Sequence, residues 1–108
     1  MRITNDQGRQ FLIRVVNKGD RYGLDDCLVH DETSDRLTKG ADPLIEFYDL
    51  THAKENWPRG QFVSRYYAHT LSEVKGGLNL CGHEPVWQID AEALAPVVRL
   101  ALEVTRGR

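Results

Sequence analysis

A chain of 108 residues has room for one domain built on one core. Its 41% hydrophobic and 28% charged residues are those of a folded domain, which excludes a disordered chain. The net charge of -2 gives no general attraction for nucleic acid, and no apolar run approaches the length that spans a bilayer.

Residues 1–4 read as a short strand, followed by a turn at Asn5-Asp6-Gln7-Gly8, where Asn, Asp and Gly tolerate left-handed geometry. Phe11-Leu12-Ile13-Arg14-Val15-Val16 is rich in β-branched and aromatic residues and too short for a helix, so it predicts a second strand. A turn at residues 17–20 leads to a third strand over residues 21–30, interrupted at Asp25-Asp26, and then to a polar loop. Pro43 opens a further strand, Leu44-Ile45-Glu46-Phe47-Tyr48, on which Glu46 and Tyr48 share one face and Phe47 the other.

Phe62, Val63, Tyr66, Tyr67 and Leu71 fall at i, i+1, i+4, i+5 and i+9. That spacing predicts a helix over residues 60–75, stopped by Gly76-Gly77. On it, Arg65 falls opposite Val63, Tyr67 and Val74 and is expected to be exposed, with Tyr66 or Tyr67 at the core rim. Residues 86–89 add a short strand. Asp90 caps a second helix, with Ile89 and Leu94 as a hydrophobic staple and Pro96 expected to force a kink or a restart. Glu92, Arg99, Glu103 and Arg106 share its polar face. The whole predicts an α+β domain over residues 1–108: an antiparallel sheet of about four strands, an N-terminal meander, packed against two helices in the C-terminal half.

Motifs with chemistry are sparse. Cys27-x-x-His30 and Cys81-x-His83 make a donor set that zinc accepts, but buried cysteine is the commoner explanation, and no metal or cofactor is expected. Asp31, Thr33, Asp35 and Asp42 imitate a calcium loop, except that Arg36 stands where such a loop needs glycine. There is no G-x-S-x-G and no phosphate-cradling glycine loop. The two cysteines are expected as free thiols, since the first residues lack the apolar stretch of a signal peptide and the expected address is the cytoplasm.

The blocks KGDRYGL (18–24), LIEFYD (44–49), GQFVSRYY (60–67) and PVWQI (85–89) resemble those of a group of short, uncharacterised bacterial proteins often carried on plasmids, phages or integron cassettes. The resemblance implies an accessory role, countering or modulating a host system by binding, and transfers no catalytic residue.

The leading expectation is therefore a small cytoplasmic protein that acts by protein–protein binding, through a partner or as a homodimer, without catalysis. Arg59, Arg65 and Tyr66 are its candidate contacts: the arginines suit a carboxylate or phosphate, and a tyrosine at the core rim offers its hydroxyl to a partner. The alternative is a small enzyme or ligand binder with a pocket between sheet and helices, lined by Tyr48, His52, Trp57 and Trp87. Nucleic-acid binding by Arg59, Arg65 and the tyrosines is disfavoured by the acidic balance.

Overall fold

The computed structural model describes residues 1–16, 43–80 and 85–106. The expected strand at 21–30, the acidic loop after it, and Cys27, His30, Cys81 and His83 lie outside the described residues.

Four strands form one antiparallel sheet in the order β1 (Arg2–Thr4), β2 (Gln10–Val16), β3 (Leu44–Asp49) and β4 (Gln61–Tyr67). The first connection is the expected turn: Gly8 donates to the Asn5 carbonyl and adopts φ 80°, which only glycine tolerates easily. A one-turn helix, α1 (Ala68–Leu71), follows β4 directly, and a small ribbon pairs β5 (Leu78–Asn79) with β6 (Gln88–Ile89). The chain then enters the long helix α2 (Ala91–Arg106). The architecture is α+β, with the sheet ahead of the C-terminal helix.

One face of the sheet carries the main core. Phe11, Ile13, Ile45, Phe47 and Val63 pack against Ala68 and Leu71 of α1 and Leu94, Val97 and Ala101 of α2, all buried. Helix α2 begins as its sequence predicts: the Asp90 carboxylate accepts from the Ala93 amide at 3.3 Å, and both staple residues, Ile89 and Leu94, are buried. Glu92, Arg99, Glu103 and Arg106 are exposed. Pro96 does not restart the helix, which runs on as one element. The bond it forgoes would have ended on the carbonyl of Glu92, an exposed residue in the first turn. Trp87, expected in a strand, closes a 3-10 turn at Pro85–Trp87, and only Gln88–Ile89 is extended.

The main correction concerns residues 60–75. No helix forms over them; Gln61–Tyr67 is a strand and only Ala68–Leu71 is helical. A bulge between Phe47 and Tyr48 in the β3–β4 register explains the misleading spacing. Phe62 lies opposite Tyr48 and Ser64 opposite Phe47, so Val63 is an extra residue and the phase shifts by one. A strand apolar on both faces and carrying a bulge thus produces the doublets Phe62-Val63 and Tyr66-Tyr67 that a helical period also produces. Tyr66 and Tyr67 then fall on opposite faces, as strand neighbours do.

Candidate interaction site at the Trp57 loop

The second face of the sheet, away from the helices, is built in rows across three strands. Cross-strand partners share a face, so the registers Arg14↔Glu46↔Arg65 and Leu12↔Tyr48↔Phe62 place an ionic row beside an aromatic one. Glu46 is fully buried and divides its carboxylate: Oε1 lies 3.3 Å from Arg14 Nη1, and Oε2 lies 3.2 Å from Arg65 Nη2. A buried charge needs such partners to remain ionised. The Tyr48 hydroxyl donates to Glu46 Oε1 at 2.9 Å and accepts from Arg14 Nη1 at 3.3 Å. The Arg65 guanidinium also sits 4.8 Å from the centroid of the Phe62 ring.

Arg65 is thus not the exposed contact that a helix would have made it. Its side chain is 14% exposed and committed to Glu46. Tyr66 faces the other way, edge-on to Phe47 at 5.8 Å, and packs against the main core. These two expected contacts serve different faces of one strand.

Arg59 connects the rows to the loop between β3 and β4. Its guanidinium lies 5.4 Å from the Tyr48 ring centroid, and its Nη1 reaches the Tyr48 hydroxyl at 3.4 Å. The loop, residues 50–60, is closed at its base. Asp49 caps a 3-10 turn at Leu50–His52 by accepting from the Thr51 amide at 2.9 Å and the Thr51 hydroxyl at 2.6 Å. At the far end Gly60 adopts φ 72° and passes so close to the Asp49 carbonyl that a side-chain carbon there would overlap it. Compact loops with touching ends frequently carry function.

Within the loop Trp57 is held by its own backbone and ring. Lys54 and Trp57 exchange both amide bonds at 2.9 Å, Gly60 donates to the Trp57 carbonyl at 3.3 Å, and the indole Nε1 donates to the Gly60 carbonyl at 2.7 Å. Trp57 nevertheless remains 45% exposed. With the indole N–H spent inside the loop, what faces solvent is mostly ring carbon. His52 and Pro58 are exposed in the same loop.

The four residues expected to line one pocket are distributed instead. Tyr48 lies on the sheet face away from the helices, and His52 and Trp57 are exposed on the loop. Trp87 packs beside the main core and donates to Asp49 Oδ2 at 2.8 Å. Asp49 also takes Arg9 Nη1 at 3.1 Å. Burial acts to raise the Asp49 pKa, but the bonds from Thr51 and Trp87 and the Arg9 charge outweigh it and hold the carboxyl below its ordinary value. A shallow hollow of about 380 Å³ beside this cluster is lined by Gln7, Gly8, Arg9, Gln10, Leu50, Thr51 and Val86, none of the four. Among the described residues no group of three His, Cys, Asp or Glu side chains could hold a metal ion, and no helix is long and apolar enough to cross a membrane.

Set beside protein-family models, curated proteins and solved structures, the chain matches none of them. The sequence offers Arg59 as a contact for a partner, whereas the structure sets its guanidinium on Tyr48. It offers Trp57 only as a pocket-lining ring beside proline, since what sets that ring apart is a closed loop that no local pattern announces.

Proposed function

We propose that this protein is a binding module whose Trp57 loop contacts another protein. The carrying observation is a tryptophan 45% exposed on a loop that its own hydrogen bonds immobilise. Large rigid aromatics dominate the binding energy of interfaces, because they bury much apolar area and lose little conformational entropy on contact. A partner of different sequence and a second copy of this chain both fit the reading. The accessory role that the sequence resemblance implies, countering or modulating a host system by binding in the cytoplasm, is part of the same proposal.

A photo-reactive phenylalanine analogue at position 57 tests it, with the same analogue at the exposed Glu103 of α2 as control. Irradiation in cells should give a discrete protein adduct from position 57 and none from position 103. Sedimentation of the purified chain over a range of concentrations distinguishes self-association from a foreign partner. Identical adduct patterns from both positions, or no adduct from either, would sink the proposal.

A further inference from the structure

We propose that Tyr48 is the positioning residue of the Trp57 loop and acts on it through Arg59. The inference rests on the loop being the interaction site, but its test needs no partner. Tyr48 is 2% exposed on the sheet face away from the helices, so it touches nothing that docks on the loop. Its place is fixed by cross-strand neighbours on both sides: Leu12 on β2, and Phe62 on β4, whose ring meets it edge-on at 5.6 Å. Its hydroxyl donates a hydrogen bond to Glu46 Oε1 at 2.9 Å, which leaves the oxygen lone pairs directed at donors.

Arg59 uses that oxygen at 3.4 Å and lies 5.4 Å from the ring centroid, two contacts from one guanidinium to one side chain. In sequence Arg59 sits between Pro58 and Gly60. Gly60 supplies both bonds that anchor Trp57 from below: its carbonyl accepts from the indole, and its amide donates to the Trp57 carbonyl. Gly60 itself is pressed against the Asp49 carbonyl with no room for a side chain. A displacement of Arg59 therefore moves the residue on which the Trp57 ring depends. The ionic row of the sheet, through the Glu46–Tyr48 bond, reaches the exposed ring by three successive contacts.

The experiment is amide hydrogen exchange on the full chain at Lys54, Trp57 and Gly60, whose amides all donate within the loop. Tyr48→Phe removes the hydroxyl and keeps the ring; Arg59→Gln removes the charge. Each should speed exchange at the three amides by about threefold to tenfold, because each removes the hydrogen bond that ties Arg59 to Tyr48. The double variant should add little to either single one, because both break the same connection. Leu94→Ala, which weakens the core on the other face, serves as control and should leave the loop amides at the wild-type rate. The inference is overturned if the loop amides exchange at the wild-type rate in Tyr48→Phe. It is equally overturned if Leu94→Ala speeds them as much, or if the two single effects add. Failure of the photo-crosslink at position 57 with this exchange pattern intact would remove the partner and leave the positioning role standing.

Discussion

Asp49 shows how much one side chain can hold together. Its carboxylate takes donors from the β1–β2 turn (Arg9), from the 3-10 turn that follows it (Thr51) and from the segment before α2 (Trp87). Because its pKa is depressed in the folded chain, the folded state binds fewer protons there than the unfolded state. The resulting stability is complete above the ordinary carboxylate value near 3.8 and is lost as pH falls through the lower folded value. Urea unfolding across pH 2 to 6 should show wild-type stability falling in acid. Asp49→Asn should be weaker at neutral pH and fall less steeply; parallel curves would remove Asp49 from the account. Trp57 sits at the opposite extreme of the same loop. Its ring is nearly half in solvent, so Trp57→Ala should cost about 1 kcal/mol of stability or less, chiefly the indole bond to Gly60. On the proposed interface, partner binding should weaken by about 2 kcal/mol or more, read as a rise in Kd larger than the few degrees lost from the thermal midpoint can explain.

Among the elements, α2 was the most legible. A capping aspartate, a staple, and apolar residues on one side gave its start and its buried face, and the structure buries Leu94, Val97 and Ala101 while leaving Glu103 exposed. Leu94→Ala should therefore destabilise by about 2–5 kcal/mol and Glu103→Ala by about half a kcal/mol or less. Equal urea midpoints for the two would mean that the helix faces another way. Strand β3 was also legible, since its alternation of Glu46 and Tyr48 against Phe47 is a local property of extended chain. Strand β4 was not. It carries aromatic or apolar residues on both faces, Phe62 and Tyr67 on one and Val63 and Tyr66 on the other, and the bulge opposite Phe47 and Tyr48 depends on a partner strand distant in sequence. Hydrophobic period alone cannot separate a short two-faced strand from a helical turn. The β-branched and aromatic content of Phe62-Val63 and Tyr66-Tyr67, together with Gly60 ahead of them, was the signal that favoured a strand. The ionic row on the second face required knowing that β4 was extended, and so it stayed hidden with it.

At the scale of the whole molecule the sheet has two chemically distinct sides. One is an apolar core closed by α1 and α2; on the other, charged and aromatic rows cross β2, β3 and β4. Such an ionic row is weak evidence for stability, because desolvation offsets much of the attraction. Its clearer effect is on register: a slip of one residue in β3 would turn Glu46 into the apolar core and leave Arg14 and Arg65 without it. Removing Glu46 still has a large cost, since it leaves the charges of Arg14 and Arg65 without the carboxylate between them. Glu46→Ala should destabilise by about 2–3 kcal/mol, below the roughly 3–5 kcal/mol of a fully buried pair, because the Arg14 side chain is 28% exposed and partly screened by water. Arg65, at 14% exposure, is the more deeply held partner. If Glu46 and Arg65 act as a pair, the double variant Glu46→Ala, Arg65→Ala should be less destabilised than the two single effects summed, by about 1–2 kcal/mol. Urea midpoints of the four proteins in that cycle measure the coupling directly. A coupling near zero would mean that Arg65 is held by its packing over Phe62 and that the cross-strand charge row is incidental to the fold.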